Sequence, residues 1–307
     1  MQRYRLKCIE PIWSDLRAAS EKGIEEALWL THNLVTKAYR KVIGKLQGAD
    51  QAVLKRKLEK LYSDYLKTSQ FFYKGYLQRI CARYNMKELK RIARLSDIED
   101  MTVPEEDRID PTAVQLEDVL TMSCQKTLVY LGDLSRYRTL LRAKDRRWDM
   151  ALTYYALAHD LMPESGLPHH QCGVIHLETH NHFAIVYHFY RAAVCEKAHP
   201  NAASNLESEF RVLRRPKSLR TSGDNDALLT WFVKLHAFYF QGEDFPGQDE
   251  LEKEVNHRLV RALKTGDKYE MDTNLLKMVL INIAAYMFGL KKIRGMLTPP
   301  HVAVLHY

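Results

Sequence analysis

Cysteine is scarce in this sequence, and the few cysteines are scattered. The chain of 307 residues has five of them, and no two form a C-x-x-C pair. They stand at Cys8, Cys81, Cys124, Cys172 and Cys195. An odd, dispersed set argues against a disulfide framework and against a zinc ribbon. We therefore expect free thiols and a reducing compartment, either the cytoplasm or the nucleus.

Long hydrophobic runs are missing as well. No stretch of 18 apolar residues occurs, so the sequence predicts no membrane-spanning helix and no membrane partner. The N-terminal stretch MQRYRLKCIEPIW lacks the apolar segment of a secretory signal. Both observations favour a protein that works inside the cell.

Sequence motifs of common enzyme classes are also absent. The chain contains no GxxxxGK[ST], GxGxxG, HExxH or GxSxG pattern. We therefore predict a protein that is not an enzyme, with no catalytic residue and no cofactor.

One histidine-rich stretch, PHHQCGVIHLETHNH, raises the question of a metal site. His176 and His180 are four residues apart and could share a helix face, as metal ligands sometimes do. No carboxylate or cysteine completes a ligand set, and LETHNH falls where a turn between two helices is expected. Packing and turn roles are the preferred interpretation, so no metal site is predicted.

The charge is positive and uneven. The net charge is +8, and residues 1–94 hold 21 Lys and Arg against 9 Asp and Glu, whereas 95–112 is strongly acidic. A basic first third suits an anionic partner such as nucleic acid or a phosphorylated protein. Long surface helices that carry solvated lysines would give the same composition, and charge alone leaves both interpretations open.

Strand signals are nearly absent, and apolar residues recur at helical spacing through most of the chain. The pattern predicts helices over 24–46 and 53–85, then a surface loop or linker over 95–112 with Pro104 and Pro111. Helices resume at 113, and further ones are predicted over 227–240, 250–263 and 272–290. The predicted fold class is all-α, built from antiparallel helical hairpins stacked side by side.

A weak internal repeat lies in the middle of the chain. Its first copy has Leu131-Gly132 followed by Ala151, Tyr155, Ala158 and Pro163, and its second has Gly173 followed by Phe189, Ala192 and Pro200. The spacing resembles a degenerate tetratricopeptide repeat. Small residues at these positions let two paired helices approach closely, so we expect Gly132 to serve packing.

A second boundary is predicted at RRPKSLRTSGDND, which is basic and rich in helix breakers. The predicted domains are therefore 1–213, with the acidic loop at 95–112, and 214–307, a C-terminal helical hairpin domain.

Two basic groups could hold an anion. Lys37, Arg40 and Lys41 lie on or near one helix face, and Arg136-Tyr137-Arg138 lies on another helix. An Arg side chain grips a phosphate with a planar fork, and a Tyr hydroxyl can donate a further hydrogen bond. From composition alone, a surface ion pair beside a core ring is the commoner explanation of an Arg-Tyr pair.

Four blocks of this sequence resemble the family of telomerase-associated Est-type proteins and SMG-type nonsense-mediated decay factors. They are LVTKAYRKVI, CQKTLVYLGDLSRYR, YYALAHDLMPESGLPHHQCGVI and HPNAASNLE, and the resemblance extends over about residues 25–290. CQKTLVYLGDLSRYR is the most specific of them. The resemblance implies a 14-3-3-like domain followed by a helical hairpin domain.

The resemblance also implies a site. In this family a concave groove binds phosphoserine or phosphothreonine peptides, and the matching residues here are Arg40, Arg136 and Tyr137. Lys37 and Lys41 are further candidates. His170 stands where relatives have Asn, and an imidazole that titrates near neutral pH would add pH sensitivity to the groove.

The function that the resemblance implies is a non-catalytic phosphopeptide-binding adaptor of nonsense-mediated mRNA decay, in the cytoplasm and nucleus. Its partner would be the phosphorylated tail of an up-frameshift helicase, with a paralogous family member as a second partner. The alternative is a telomerase accessory subunit that binds single-stranded DNA, telomerase RNA or a phosphorylated telomere protein. Family members usually carry a further C-terminal region, which this chain lacks.

Overall fold

A computed structural model of the chain describes residues 1–84, 109, 115–142, 145–215, 223–242 and 245–292. The predicted all-α class is confirmed. Most of the acidic segment 95–112 lies outside the described residues. The α-helices are α1 Gln2–Ser14, α2 Leu16–Glu21, α3 Ile24–Lys45, α4 Ala52–Arg83, α5 Glu117–Leu140, α6 Asp149–Leu161, α7 Leu167–Thr179, α8 His182–Val194, α9 Ala202–Leu213, α10 Asp224–Tyr239, α11 Gln248–Thr265 and α12 Lys268–Lys292.

The chain forms two compact units, Met1–Met162 and Pro163–Tyr307. The boundary predicted at 213/214 lies inside the second unit, between α9 and α10. The division into domains at that point stays a prediction, because compactness and domain limits are different criteria.

The core of the first unit is aromatic and lies between α3, α4 and α5. Trp29 of α3 stacks on Tyr130 of α5 with 4.2 Å between ring centroids, and both rings pack against Tyr73 of α4. The predicted apolar stripe of α4 included Leu54 and Leu61, but both are exposed. Since α4 carries apolar residues on more than one side, its neighbours rather than its own pattern select the buried face.

Helix α1 is anchored by a buried arginine. The Arg5 guanidinium donates from Nε to Nε2 of His32 at 3.2 Å and from Nη2 to the Ser69 hydroxyl at 2.7 Å. It also lies 5.0 Å from the centroid of the Phe72 ring. Burial, helped by Arg5, lowers the pKa of His32 to about 3, so the imidazole stays neutral and accepts the Arg5 hydrogen bond.

Helices α5 and α6 form a tightly packed hairpin at Gly132. A Cβ placed on Gly132 would lie 2.7 Å from Cδ1 of Tyr155 and still closer to Cε1. This separation is below any ordinary carbon contact, so only a residue without a side chain fits. The prediction that Gly132 serves helix packing is confirmed.

The second unit repeats this device in the α7–α8 hairpin, where a Cβ on Gly173 would lie 2.5 Å from Cε1 of Phe189. The predicted turn falls at His180 and Asn181. His180 has a left-handed backbone, and the Asn181 side chain accepts from the backbone N–H of Ala184 to cap α8. The turn role expected for this stretch is therefore confirmed.

The histidines of the second unit pack on one another. Nδ1 of His169 lies 3.0 Å from Nδ1 of His188, and His176 stacks on His188. Burial lowers the pKa of both His176 and His188, which favours their neutral forms. Within the part of the chain that the structure describes, no group of three or more His, Cys, Asp or Glu is arranged to hold a metal ion.

The last helix is long and apolar. By length and composition alone, Lys268–Lys291 could cross a bilayer, with a mean hydropathy of 1.4. Its buried stripe nevertheless belongs to the hydrophobic core of the second unit. The stripe consists of Met271, Met278, Ile281 and Ala284. This packing is that of a helix within a helical protein.

Candidate functional site

Two distant segments of the first unit meet around the ring of Tyr137. Arg40 comes from the last two turns of α3, whereas Arg136 and Tyr137 come from the last two turns of α5. Cζ of Arg136 lies 4.7 Å from the centroid of the Tyr137 ring, and Cζ of Arg40 lies 5.8 Å from it. Both guanidinium groups are therefore neighbours of one ring, and we call these three residues the arginine–tyrosine cluster.

Arg136 is held in place by the α5–α6 hairpin. Its Nη2 lies 3.1 Å from Oδ1 of Asp133, one helical turn earlier, and its Nε lies 3.4 Å from the Tyr155 hydroxyl. The Tyr155 hydroxyl in turn donates to Oδ1 of Asp133 at 2.7 Å. Because one carboxylate fixes both the arginine and the tyrosine, the Arg136 side chain has a defined direction.

The electrostatics of this network keep Arg136 charged. Burial alone would lower the pKa of Arg136, but Asp133, Tyr155 and Tyr137 together outweigh burial and raise it. Burial raises the pKa of the Asp133 carboxyl, while Arg136 and the Tyr155 hydroxyl oppose the rise. We regard the pair as ionised, since the carboxylate accepts two hydrogen bonds at short distance.

The cluster keeps capacity for an anion. A guanidinium has five N–H donors, and the described contacts of Arg136 occupy two of them. Arg40 is exposed. Asp133 balances the charge of Arg136 alone, so a second positive charge, that of Arg40, remains beside Tyr137.

The Tyr137 hydroxyl remains a hydrogen-bond donor at neutral pH. Burial raises the pKa of Tyr137 most, the nearby Asp133 carboxylate raises it further, and Arg136 and Arg40 oppose the rise. A protonated hydroxyl beside two guanidinium groups can complete the set of donors around a phosphate.

The lysine candidates lie on the same helix as Arg40. Lys37 and Lys41 are both exposed, one turn before Arg40 and one residue after it. Their part in an anion site stays a prediction.

His170 lies in the second unit, and its side chain is buried there. Its Nε2 lies 2.9 Å from Nδ2 of Asn205, and its ring stacks on His199 with 3.6 Å between centroids. These contacts explain how the imidazole is packed. Whether His170 also takes part in ligand binding stays a prediction.

Sequence reasoning missed two members of the network. Asp133 precedes Arg136 by three residues, which places the two side chains on one helix face, so the spacing alone could have indicated the ion pair. Tyr155 was assigned only to the scaffold of the repeat. Its ring packs on Gly132 while its hydroxyl reaches Asp133, so one residue serves both packing and the site.

A separate apolar cavity of about 580 Å³ lies between α1 and α4 of the first unit. Its walls include Trp13, Phe72 and Gly75, and its rim includes Leu6 and Phe71, which are 69% and 75% exposed. No side chain lies within 4 Å of a Cβ placed on Gly75. The open, exposed apolar rim distinguishes this cavity from a core packing defect.

Comparisons with known proteins identify the family. Residues 23–142 match the family model described as "Telomerase activating protein Est1", and residues 151–299 match "Est1 DNA/RNA binding domain". Together the two matches cover most of the chain. The chain belongs to the Est/SMG family, in agreement with the resemblance found in its sequence.

Curated relatives come from both branches of the family. The chain is 26% identical to "Nonsense-mediated mRNA decay factor SMG7" of Arabidopsis thaliana over 62% of this chain and 19% of that protein. It is 25% identical to "Telomere elongation protein est1" of Schizosaccharomyces pombe over 49% of this chain and 32% of that protein. The chain thus spans about a fifth to a third of the length of these relatives.

Solved structures share the fold. "Crystal structure of Est1 and Cdc13" superimposes with a TM-score of 0.76 at 14% identity, covering 99% of this chain and 63% of that one. "Structure of the C. elegans SMG5-SMG7 complex" gives a TM-score of 0.53 at 14% identity, over 95% of this chain and 80% of that one. Both neighbours support the helical 14-3-3-like class.

Proposed function

We propose that this chain is a non-catalytic adaptor that binds phosphoserine or phosphothreonine peptides through the arginine–tyrosine cluster. The observation that carries the proposal is the convergence of Arg40 and Arg136, 96 residues apart in sequence, on the Tyr137 ring. Two arginines and a tyrosine hydroxyl supply the donors and the charge that a phosphate dianion needs.

The pathway that this chemistry serves is, in our proposal, nonsense-mediated mRNA decay. Relatives named as decay factors support it. The phosphorylated ligand would be the tail of an up-frameshift helicase, and the adaptor would link it to decay enzymes in the cytoplasm and nucleus.

The test is a calorimetric titration of phosphorylated and unphosphorylated tail peptides of identical sequence. We expect the phosphopeptide to bind wild type at least about tenfold more tightly, because hydrogen bonds to charged groups contribute about 1.5–3 kcal/mol each. Arg40→Ala should weaken phosphopeptide binding about tenfold or more, and Tyr137→Phe by a smaller factor.

The matched control for Arg40→Ala is Arg3→Ala, which removes an equally exposed arginine from α1. We expect the control to bind the phosphopeptide like wild type. Equal affinity of wild type for the two peptides would refute the proposal, and so would equal losses in the two variants.

A telomeric role is the second candidate function. A description that names DNA and RNA binding for residues 151–299, and the similarity to a telomere elongation protein, favour it. In this case the ligand would be a phosphorylated telomere protein, single-stranded DNA or telomerase RNA. Phosphopeptide titrations with telomere-protein sequences distinguish the two pathways, because they share the cluster and differ in the peptide.

A paralogous family member is a further proposed partner, and the apolar cavity between α1 and α4 is the surface that we assign to it. The similarity to a structure named as an SMG5-SMG7 complex supports the choice of a paralogue. Phe71→Asp should abolish co-purification with the paralogue and leave phosphopeptide affinity unchanged, since Phe71 is exposed and is not a member of the arginine–tyrosine cluster.

A further inference from the structure

A second basic depression lies in the first unit, between α4 and α5. Two cavities of about 360 and 420 Å³ share Arg138 and Arg142 in their walls, so they are two parts of one depression. From Glu59 to Lys74 the wall formed by α4 extends about 22 Å, at 1.5 Å per residue. We call this depression the α4–α5 groove.

The charge of the α4–α5 groove is strongly positive. Five cationic side chains line it against two carboxylates, Glu59 and Asp149. The cations are Lys67, Lys74, Arg138, Arg142 and Arg147. Among the residues that the structure describes, no carboxylate lies within ion-pair distance of the three arginines.

The centre of the groove is preorganised. Nη1 of Arg138 donates to Oε1 of Gln70 at 2.6 Å, and Nε2 of Gln70 donates to the Ser135 hydroxyl at 2.9 Å. Burial, reinforced by repulsion from Arg142, lowers the pKa of Arg138. A bound anion would relieve that repulsion, and the hydrogen bonds already hold one guanidinium in position.

The groove and the arginine–tyrosine cluster lie on different sides of α5. Arg136 and Arg138 are two residues apart, which corresponds to about 200° around an α-helix. A short peptide held by Arg136 therefore does not reach Arg138 without passing around the helix. The groove needs a ligand of its own.

We propose that the α4–α5 groove binds the phosphodiester backbone of single-stranded nucleic acid without reading its bases. A line of cations over about 22 Å suits a chain that carries a negative charge at every repeat. The aromatic residue of the wall, Tyr154, is buried, so the groove offers no exposed ring on which bases could stack. All five cations precede residue 151, so the match described as DNA/RNA binding does not assign this groove.

The test is fluorescence anisotropy of the full chain with labelled uridine and thymidine oligomers of about 12 nucleotides, within the range of known single-strand sites. The variant Arg142→Gln/Arg147→Gln removes two exposed cations. We expect about tenfold weaker binding and a fall of about 1.4 in the slope of log affinity against log salt, since each contact to a single strand contributes about 0.7.

The matched control is Arg3→Gln/Lys7→Gln, which removes the same charge from two exposed positions of α1. It should bind like wild type, and both variants should melt like wild type by circular dichroism. Equal losses in the two variants would reduce the effect to net charge and overturn the proposal. Unchanged binding by the groove variant would also overturn it.

Two competitor ligands complete the test. A Glu-rich peptide that binds wild type as tightly as the oligomer, and loses binding in the groove variant, would make the groove a protein-docking site instead. Duplex RNA that binds as tightly as the single strand and depends equally on Arg142 and Arg147 would refute the single-strand assignment. Arg40→Ala should bind the oligomers normally, which keeps this proposal separable from phosphopeptide binding.

Discussion

Asp133 connects the packing of the first unit to its proposed chemistry. It accepts from both Arg136 and the Tyr155 hydroxyl, and it is almost fully buried. A buried carboxylate with two donors keeps a buried arginine tolerable, because each charge is compensated by the other. Arg136 can therefore remain ready for an external anion although its own side chain is largely enclosed.

We predict that Asp133→Asn lowers the free energy of unfolding by about 3 kcal/mol, because it leaves the Arg136 cation buried without its carboxylate. Urea unfolding followed by tryptophan fluorescence measures the change. Asp64→Asn is the control, since Asp64 is exposed and lies 4.0 Å from Lys67. We expect less than about 0.5 kcal/mol there, and equal losses in the two variants would contradict the assigned role of Asp133.

At the scale of helices, close approach at glycine decides how the hairpins pack. The Tyr155 ring lies directly over Gly132, and the Phe189 ring lies over Gly173. Each hairpin thus uses an aromatic residue on one helix against a bare backbone on the other. This is the structural content of the weak repeat seen in the sequence.

We expect Gly132→Ala to destabilise the first unit by about 1–3 kcal/mol, because the added methyl group overlaps a fully buried ring. Gly75→Ala is the matched control in the interior of α4, where nothing lies within 4 Å of the new Cβ. It should stabilise by about 0.5–1 kcal/mol, since alanine favours a helix over glycine. Thermal melts of the two variants check both signs, and a stabilising Gly132→Ala would show that the hairpin is not closely packed there.

The attachment of α1 is predicted to depend on pH through His32. Its pKa is about 3 in the folded chain and about 6.5 when unfolded, so below pH 6.5 the unfolded state binds the extra proton. The resulting loss of stability begins as pH falls through 6.5 and reaches about 2 kcal/mol at pH 5.

His32→Gln provides the comparison, because glutamine offers Arg5 an acceptor and does not titrate. Between pH 7 and pH 5 this variant should lose about 2 kcal/mol less than wild type in urea unfolding. Trp29 is a suitable probe, since its ring lies 6.3 Å from that of His32. Parallel pH profiles for the two proteins would show that His32 does not titrate on unfolding.

At the scale of the whole molecule, the free cysteines report on the two units separately. Cys124 is buried in the first unit and Cys172 in the second, and burial raises the pKa of both thiols, that of Cys172 to about 12. Thiols that are protonated and enclosed react slowly, because the thiolate is the nucleophile.

We predict that an aromatic disulfide reagent at pH 8 leaves Cys124 and Cys172 unmodified in the native chain and modifies all five thiols in denaturant. Peptide mapping across a urea series then gives an opening transition for each unit. Rapid native labelling of Cys124 would contradict the buried core between α3, α4 and α5.

Residue patterns alone were sufficient for the all-α class, the helix pattern and the role of Gly132. These features depend on neighbours in sequence, on helical periodicity and on the absence of a side chain. The family blocks in turn pointed to Arg40, Arg136 and Tyr137.

Only the tertiary structure brought Arg40 onto the ring of Tyr137 and linked Arg136 through Asp133 to Tyr155. It also left Leu54 and Leu61 of α4 exposed and opened the α4–α5 groove. Packing decides these features, because contacts between residues tens of positions apart depend on how helices are placed, and helical periodicity carries no information about that placement.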